Sequence, residues 1–419
     1  MKRTIIIIPI FLIITVSSMF GQSYRTFASE LSWITENARW KIGPFRIYPR
    51  LQFRDIGYDD NVYYQREETG PVSDYTATFS PEIRTYLLFR NYLILSFSEN
   101  PEYVYYVKES RERRWNNSLT PSFKLLLLGR FVVGGGYSYS NIRWRATSEF
   151  DVRANEHREA YNGSLFYETA RRTSFGLTVS SQRISYEDIT MPGEEIYLSR
   201  LLNRKEQNAN FEFYYRIFSE TFFFIRGGYT EYNFEDVDYS WRDSYSYQSY
   251  AGVRFPLLGN VRGTISLGYK KLIPRSEERK GFSGLIGDTS IEYRVWRFGF
   301  RGQYSRDCPF SFWTNSVYYI SDRYVGGISF YLTRFLRIDY NYNYGEGRYP
   351  EPMMTYMPDG SYEEIKRKDT YRTNTVGIIF RVIRNTGIGI NVSWWSRDSN
   401  VYWENRDRMF VGGYLTYDF

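Results

Sequence analysis

Beyond residue 44 the chain reverses direction at regular intervals, and the reversals alternate in length. Very short polar turns centre on Arg90 with Asn91, Gly129 with Arg130, Arg171 with Arg172, Ser219 with Glu220, Gly259 with Asn260, Trp296 with Arg297, Thr333 with Arg334 and Asn385 with Thr386. Longer polar connections lie between them, among them 57–73, 190–205, 307–322 and 346–369. Short, long, short, long is the layout of antiparallel strands that run up and down, with tight turns at one rim and extended loops at the other. About eight short turns and about nine loops predict about eighteen strands, within a range of sixteen to eighteen.

The segments between the turns alternate with period two. Phe45, Ile47, Leu51 and Phe53 oppose Arg46, Tyr48, Arg50, Gln52 and Arg54; Tyr75, Ala77, Phe79 and Ile83 oppose Thr76, Thr78, Ser80, Glu82 and Arg84. Ala209, Phe211, Phe213 and Tyr215 oppose Asn208, Asn210, Glu212 and Tyr214. Leu336, Ile338, Tyr340, Tyr342 and Tyr344 oppose Arg337, Asp339, Asn341 and Asn343. In the final stretch Met409, Val411, Gly413, Leu415, Tyr417 and Phe419 oppose Arg408, Gly412, Tyr414, Thr416 and Asp418. Such strands have one face in an apolar medium and one in a polar medium. Some details resist: Pro49, Pro81 and Pro121 fall on the apolar face, where each removes a ladder donor and is expected to mark a bulge. Glu99 and Pro101 break the alternation of Leu93, Leu95 and Phe97, which predicts a strand that leaves the membrane early.

Two media are available to a soluble sandwich as well as to a membrane barrel, and composition separates them. Aromatics make up 20% of the chain, led by 42 Tyr and 31 Phe, while the mean hydropathy is only −0.51. A barrel in a bilayer carries aromatic girdles at both interfaces, and its polar lumen face cancels its lipid face in any average. A sandwich would bury bulky aliphatics and has no need of aromatic strand ends. The expected fold is therefore all-β, a transmembrane antiparallel up-and-down β-barrel. Its last strand, ending in Phe419, resembles the C-terminal signature of bacterial outer-membrane barrels, which implies recognition by the barrel assembly machinery.

Residues 1–21 carry Lys2 and Arg3, the apolar run TIIIIPIFLIITV and a small residue near Gly21, the layout of a secretory signal peptide. Residues 22–44 follow as a leader. Phe27, Leu31, Ile34 and Ala38 recur at helical spacing, so the leader reads either as a short amphipathic helix at the periplasmic mouth or in the lumen, or as a disordered segment. It is too short for the plug domain of an energised receptor. The barrel itself is assigned to 45–419.

The run FRDIGYDDNVYYQ followed by SDYTATFSPEI resembles the opening of the putative beta-barrel porin type 2 family, on Asp59, Asp60, Asn61, Ser73, Asp74, Ser80 and Pro81. The resemblance implies an outer-membrane barrel with a transport role and no catalytic residues.

Reactive groups are sparse. There is one cysteine, Cys308, and one histidine, His157, so neither a disulfide framework nor a Cys/His metal cluster can be built. Asp59, Asp60 and Asn61 lack the alternating oxygens of a calcium loop and read as a self-capped turn. His157 reads as a surface loop residue and Cys308 as an unpaired loop thiol. No enzymatic activity and no cofactor are expected. The formal charge is +7, but Lys and Arg are interspersed with acids, so no nucleic-acid partner is expected.

Parity directs a set of charged side chains inward: Arg46, Arg50, Arg54, Glu82, Arg84, Glu212, Arg254, Arg262, Arg294, Arg301, Arg337, Asp339 and Arg381 are the expected pore-lining residues. Together with Arg216 and Arg226 most of them lie near short turns, with Glu168, Glu292 and Asp418 at similar heights. Such a belt either stiffens the wall through cross-strand ion pairs or leaves a positive field that favours anions. The expected function is a porin-like outer-membrane channel for passive passage of small hydrophilic solutes. An accessory barrel for polysaccharide or polymer export and a structural or adhesive scaffold with a plugged lumen are the alternatives. Outer-membrane lipid and lipopolysaccharide are the expected surroundings, and a homo-oligomer is compatible with such a wall.

Overall fold

A computed structural model describes residues 26–419 apart from 146–148, 150–152, 170–172, 192–193, 219, 258–259, 313–315, 358–359 and 384. The expected signal peptide, the first residues of the leader and parts of the turns at Arg171, Arg172, Ser219 and Gly259 lie outside the described residues.

Twenty hydrogen-bonded segments form one sheet. One is a short flap, Trp40–Ile42, and two are pieces of a single stave, which leaves eighteen staves. In chain order these are β1 (Phe45–Asp59), β2 (Asp74–Phe89), β3 (Leu93–Glu99 and Glu102–Tyr106), β4 (Arg114–Leu127), β5 (Phe131–Arg145) and β6 (Arg153–Glu168). Next come β7 (Thr173–Tyr186), β8 (Arg204–Arg216), β9 (Phe222–Phe234), β10 (Ser244–Leu257), β11 (Val261–Pro274) and β12 (Phe282–Val295). The last six are β13 (Phe298–Asp307), β14 (Ile320–Tyr331), β15 (Leu336–Tyr356), β16 (Tyr362–Ile383), β17 (Thr386–Ser399) and β18 (Arg406–Asp418). Each pairs antiparallel with its chain neighbours, and β18 returns to β1 through registers such as Arg50↔Asp418 and Asp59↔Phe410, closing the ring. Closure removes the free edges that an open sheet of this size would expose.

The strands flanking the eight expected short turns end and begin where the alternation places them. Leu128 and Gly129 both adopt positive φ, at 50° and 67°, as a tight hairpin matched to strand twist requires. The closing seam contains an irregularity. Asp55 sits at φ 53°, and the register of β1 shifts there against both β18 and β2. This bulge is at Asp55, not at a proline. The register passes through Pro49, Pro81 and Pro121 without a shift, which corrects that expectation.

Pro81 and Pro101 instead explain the interruption of β3. The registers Ile83↔Glu99 and Phe79↔Tyr103 place them opposite one another, and neither has an N–H to donate. The ladder lapses for two residues and then resumes in register, so this stave spans the wall and does not leave it early. A second correction concerns 346–369, expected as a loop. Glycines and prolines suggested a break, but β15 and β16 run on as strands of 21 and 22 residues and meet only at 357–361. A register shift between Arg348 and Pro352 absorbs the two prolines.

Outward residues near the short-turn rim are apolar, with Phe45, Phe131, Trp296 and Phe419 exposed at that edge. Tyr75, Tyr105, Tyr161, Tyr247, Tyr269 and Tyr324 are exposed toward the loop rim. Beyond the tyrosines the outer wall turns ionic, with Arg183 paired to Glu235 at 2.7 Å and Arg372 to Asp398 at 2.9 Å. An apolar band between two aromatic girdles is the outer surface of a barrel that sits in a bilayer. Short turns then mark the periplasmic rim and long loops the outer rim.

Candidate functional site

An eighteen-stave ring with the usual tilt has a backbone radius of roughly 18 Å, and its own side chains leave a lumen roughly 24 Å across. What else enters that lumen decides what can pass. One occupant is α1 (Phe27–Asn37), whose N-terminus is capped by Thr26 accepting from the Ser29 amide at 3.3 Å. The expected stripe is the docked face: Phe27 and Ile34 are buried, Leu31 packs beside them, and Ala38 follows just past the helix. Their partners are the inward residues Tyr86, Leu88, Ile94, Leu126, Val132 and Phe166. Polar contacts hold the ends. The Phe27 amide donates to Glu168 at 3.0 Å, Lys124 pairs with Glu30 at 2.6 Å, and the Tyr48 hydroxyl donates to the Ile34 carbonyl at 2.7 Å. Trp33 stacks on Tyr48 with centroids 5.7 Å apart. The helix thus lies along the inner wall of β1 to β6. A helix is about 10–12 Å in diameter, so roughly half the width remains.

At the outer rim the loops fold inward. Cys308, Phe310, Val317 and Tyr318 are buried against Phe234, Leu272, Phe282 and Ile286 of the wall. Glu149, from the connection between β5 and β6, is 3% exposed. It accepts from the Ser311 hydroxyl and the Phe312 amide, each at 2.7 Å. Arg242 donates to the carbonyls of Leu201 at 3.0 Å and Phe312 at 3.2 Å, and Arg204 lies 5.0 Å over the Phe312 ring. Burial pushes the Glu149 carboxyl above the ordinary range, against the hydrogen bonds it accepts. Burial likewise raises the Cys308 thiol. Four connections, β5–β6, β7–β8, β9–β10 and β13–β14, are therefore knotted together across the mouth, which the sequence did not foretell. Its only signal was the density of aromatics and arginines in connections that length alone would leave in solvent.

The thirteen charged residues expected on the inner face lie on β1, β2, β8, β10, β11, β12, β13, β15 and β16, at positions of opposite parity to the exposed apolar side chains of the same strands. They do not form one belt. Arg54 sits toward the outer rim, joined to Glu102. Arg46 is at the periplasmic edge, bonded to the Gly43 and Phe45 carbonyls at 2.6 and 2.9 Å. Arg50 pairs with Asp418 at 2.6 Å and with Glu82 at 3.9 Å, and Glu82 also holds Arg84. Across the lumen Arg337 pairs with Asp339 at 2.9 Å, Arg226 with Glu212 at 3.8 Å and Arg262 with Glu292 at 4.0 Å. Arg254, Arg294, Arg301 and Arg381 have no carboxylate within ion-pair distance among the described residues. Arg294 lies 5.5 Å over the Tyr331 ring, and Arg301 donates to Asn341 Oδ1 at 2.8 Å.

The turn at 59–61 is held by protein groups. Arg408 donates to both Asp59 oxygens at 2.8 and 2.6 Å, the Met409 amide donates to Asp60 at 2.7 Å, and Asn61 donates to the Gln65 and Asp407 carbonyls at 2.8 Å. His157 is not in a loop. It lies within β6 on the outward parity, 3.1 Å from Glu187.

A closed antiparallel ring with a lipid-facing apolar band, two aromatic girdles and a polar interior is an outer-membrane β-barrel. Residues 37–416 match the family described as "Putative beta-barrel porin 2", and the chain belongs to that family. Family and fold together place it in the outer membrane. Among solved structures, OpdO of Pseudomonas aeruginosa is 10% identical with a TM-score of 0.49, over 89% of this chain and 97% of that one. The FrpB iron transporter of Neisseria meningitidis, in apoprotein form, is 10% identical with a TM-score of 0.49 over 84% of this chain, which spans 61% of the FrpB chain. The siderophore receptor PirA of Acinetobacter baumannii is 8% identical with a TM-score of 0.47, over 91% of this chain and 81% of that one. No curated protein matches the sequence.

Proposed function

We propose that this protein is a porin-like channel for passive passage of small hydrophilic solutes, narrowed by its own helix and loops. The observation that carries the reading is a lumen too wide for its wall side chains, faced with Asn, Ser, Thr, Gln and Arg, in which α1 takes one side only. Export to the outer membrane through a cleaved signal peptide and insertion through the strand ending at Phe419 belong to the same reading. No catalysis is assigned: the lone histidine is on the outer wall, facing Glu187, away from the lumen.

A second reading, a scaffold with a plugged lumen, is favoured by the junction of Glu149 with Ser311 and Phe312. Polymer export is less well supported, because most wall tyrosines form the outer girdle and do not line the interior. Planar-bilayer recording of the purified protein separates the first two. Stepwise conductance that rises when Glu149 is replaced by Ala supports a channel closed down by its loops. A membrane that stays silent with both proteins makes the scaffold the correct reading.

A further inference from the structure

We infer that the solute is a small anion bearing carboxylate or phosphate groups, met at the periplasmic mouth by an arginine arc on β10 to β16 opposite the helix. The inference rests on the channel reading and adds to it the chemistry of what enters.

Its first ground is the unequal distribution of charge around the mouth. On the helix side Arg46, Arg50, Arg84 and Lys124 are matched by Glu30, Glu82, Glu168 and Asp418, and the named pairs largely neutralise that wall. Toward the periplasmic half of β8 to β16 the inward acids among the described residues are Glu212, Asp288, Glu292 and Asp339; Glu206, Asp307 and Asp369, nearer the outer rim, are paired with Arg204, Lys270 and Arg367. The first four face Arg216, Arg226, Arg254, Arg262, Arg294, Arg301, Arg337 and Arg381, so the field is one-sided.

The second ground is which guanidiniums remain free to bind. Glu292 stands opposite Arg301 in register but is engaged with Arg262 at 4.0 Å. Arg294 and Arg337 share the face of Tyr331, at 5.5 and 5.8 Å, and a ring under a guanidinium orients it without neutralising it. Inward glycines make room beside these groups. A Cβ on Gly327 would come within 3.6 Å of Arg301, and one on Gly299 within 3.8 Å of Tyr331. Planar guanidiniums fit the forked geometry of carboxylate and phosphate oxygens.

The third ground is distance. With α1 on the far wall the free crescent is roughly 12 Å wide, close to the Debye length of about 8 Å at physiological salt. Most of the path past α1 therefore lies within about one screening length of the arc.

The test uses the full protein with the four substitutions R254Q, R294Q, R301Q and R381Q together, and a companion carrying Lys at the same four positions to keep the charge. Two measurements run in parallel: reversal potential in a KCl gradient, and calorimetric binding of citrate and of inorganic phosphate to the protein in detergent. The expected result is chloride preference in the parent and the Lys companion, abolished in the Gln variant. Binding of at least one anion should weaken by about tenfold for each guanidinium that the anion engages and the Gln variant removes, and the two anions show which oxygen geometry is preferred. Cation preference in the parent, or anion binding that survives all four Gln substitutions, overturns the inference and leaves the channel reading intact. Anion binding without any conductance does the reverse. Heat-modified gel migration of each variant confirms that the ring has closed.

Discussion

Gly57 is where the ring is tightest. A Cβ built on it would lie 2.0 Å from the Val411 carbonyl oxygen and 2.4 Å from the Gly412 Cα, both backbone atoms of the closing strand. Gly57→Ala should therefore force β1 and β18 apart and cost about 1–3 kcal/mol, as overpacking does elsewhere; urea midpoints in lipid vesicles would register it. Glu149 gives a pH dependence with a definite sign. Its carboxyl ionises above the ordinary range when folded, so between that ordinary value and the raised one the folded state holds a proton that the unfolded chain has lost. The loop junction is then strongest in acid and weakens as pH rises. Intrinsic-rate-corrected hydrogen exchange at Phe310 and Phe312 should lose protection as pH rises above the ordinary carboxylate range, and Glu149→Gln should flatten that slope. Cys308 is fully buried and its thiol is raised by burial, so maleimide should label it in urea and scarcely at all in the folded protein. None of these three roles could be read from sequence. Close backbone approach, infolded loops and a shielded thiol all depend on which distant strand comes alongside.

At the level of single elements the sequence was far more legible. Period two places Met409, Val411, Leu415 and Tyr417 outward on β18, and it places the thirteen charged residues inward. The tight turns were visible because Gly129 and its polar counterparts interrupt that period. Where expectation and fold part company, the cause is local composition overruled by pairing. Gly345, Gly347, Pro350 and Pro352 look like a loop, yet β15 and β16 continue because each supplies the other's ladder. Pro101 looks like an exit, yet Tyr103 and Tyr105 regain β2 as partner. Helix α1 shows the converse, since its stripe was readable but its dock was not: nothing in 22–44 points to Val132 or Phe166. Removing the side chain that seats it, Ile34→Ala, should loosen the helix by about 2–5 kcal/mol. Faster tryptic cleavage at the neighbouring Arg39 would report the release, and unaltered cleavage would show that the polar anchors suffice.

For the molecule as a whole, stability should depend on which medium a side chain meets. Leu267, 63% exposed on the outer face of β11, faces lipid near mid-height, and Leu267→Arg should cost about 2–4 kcal/mol. Asn343→Arg, on the inner face of β15, should change the folding free energy by no more than about 0.5 kcal/mol while altering conductance. Equal costs at the two sites would contradict the assignment of faces. The helix carries a consequence for assembly. The residues that seat it belong to β1 through β6, a contiguous third of the staves, so its berth needs none of the other twelve. An element that had to be threaded through a finished cylinder would face a narrow entrance crowded with arginine; this one can be in place before there is a cylinder to enter.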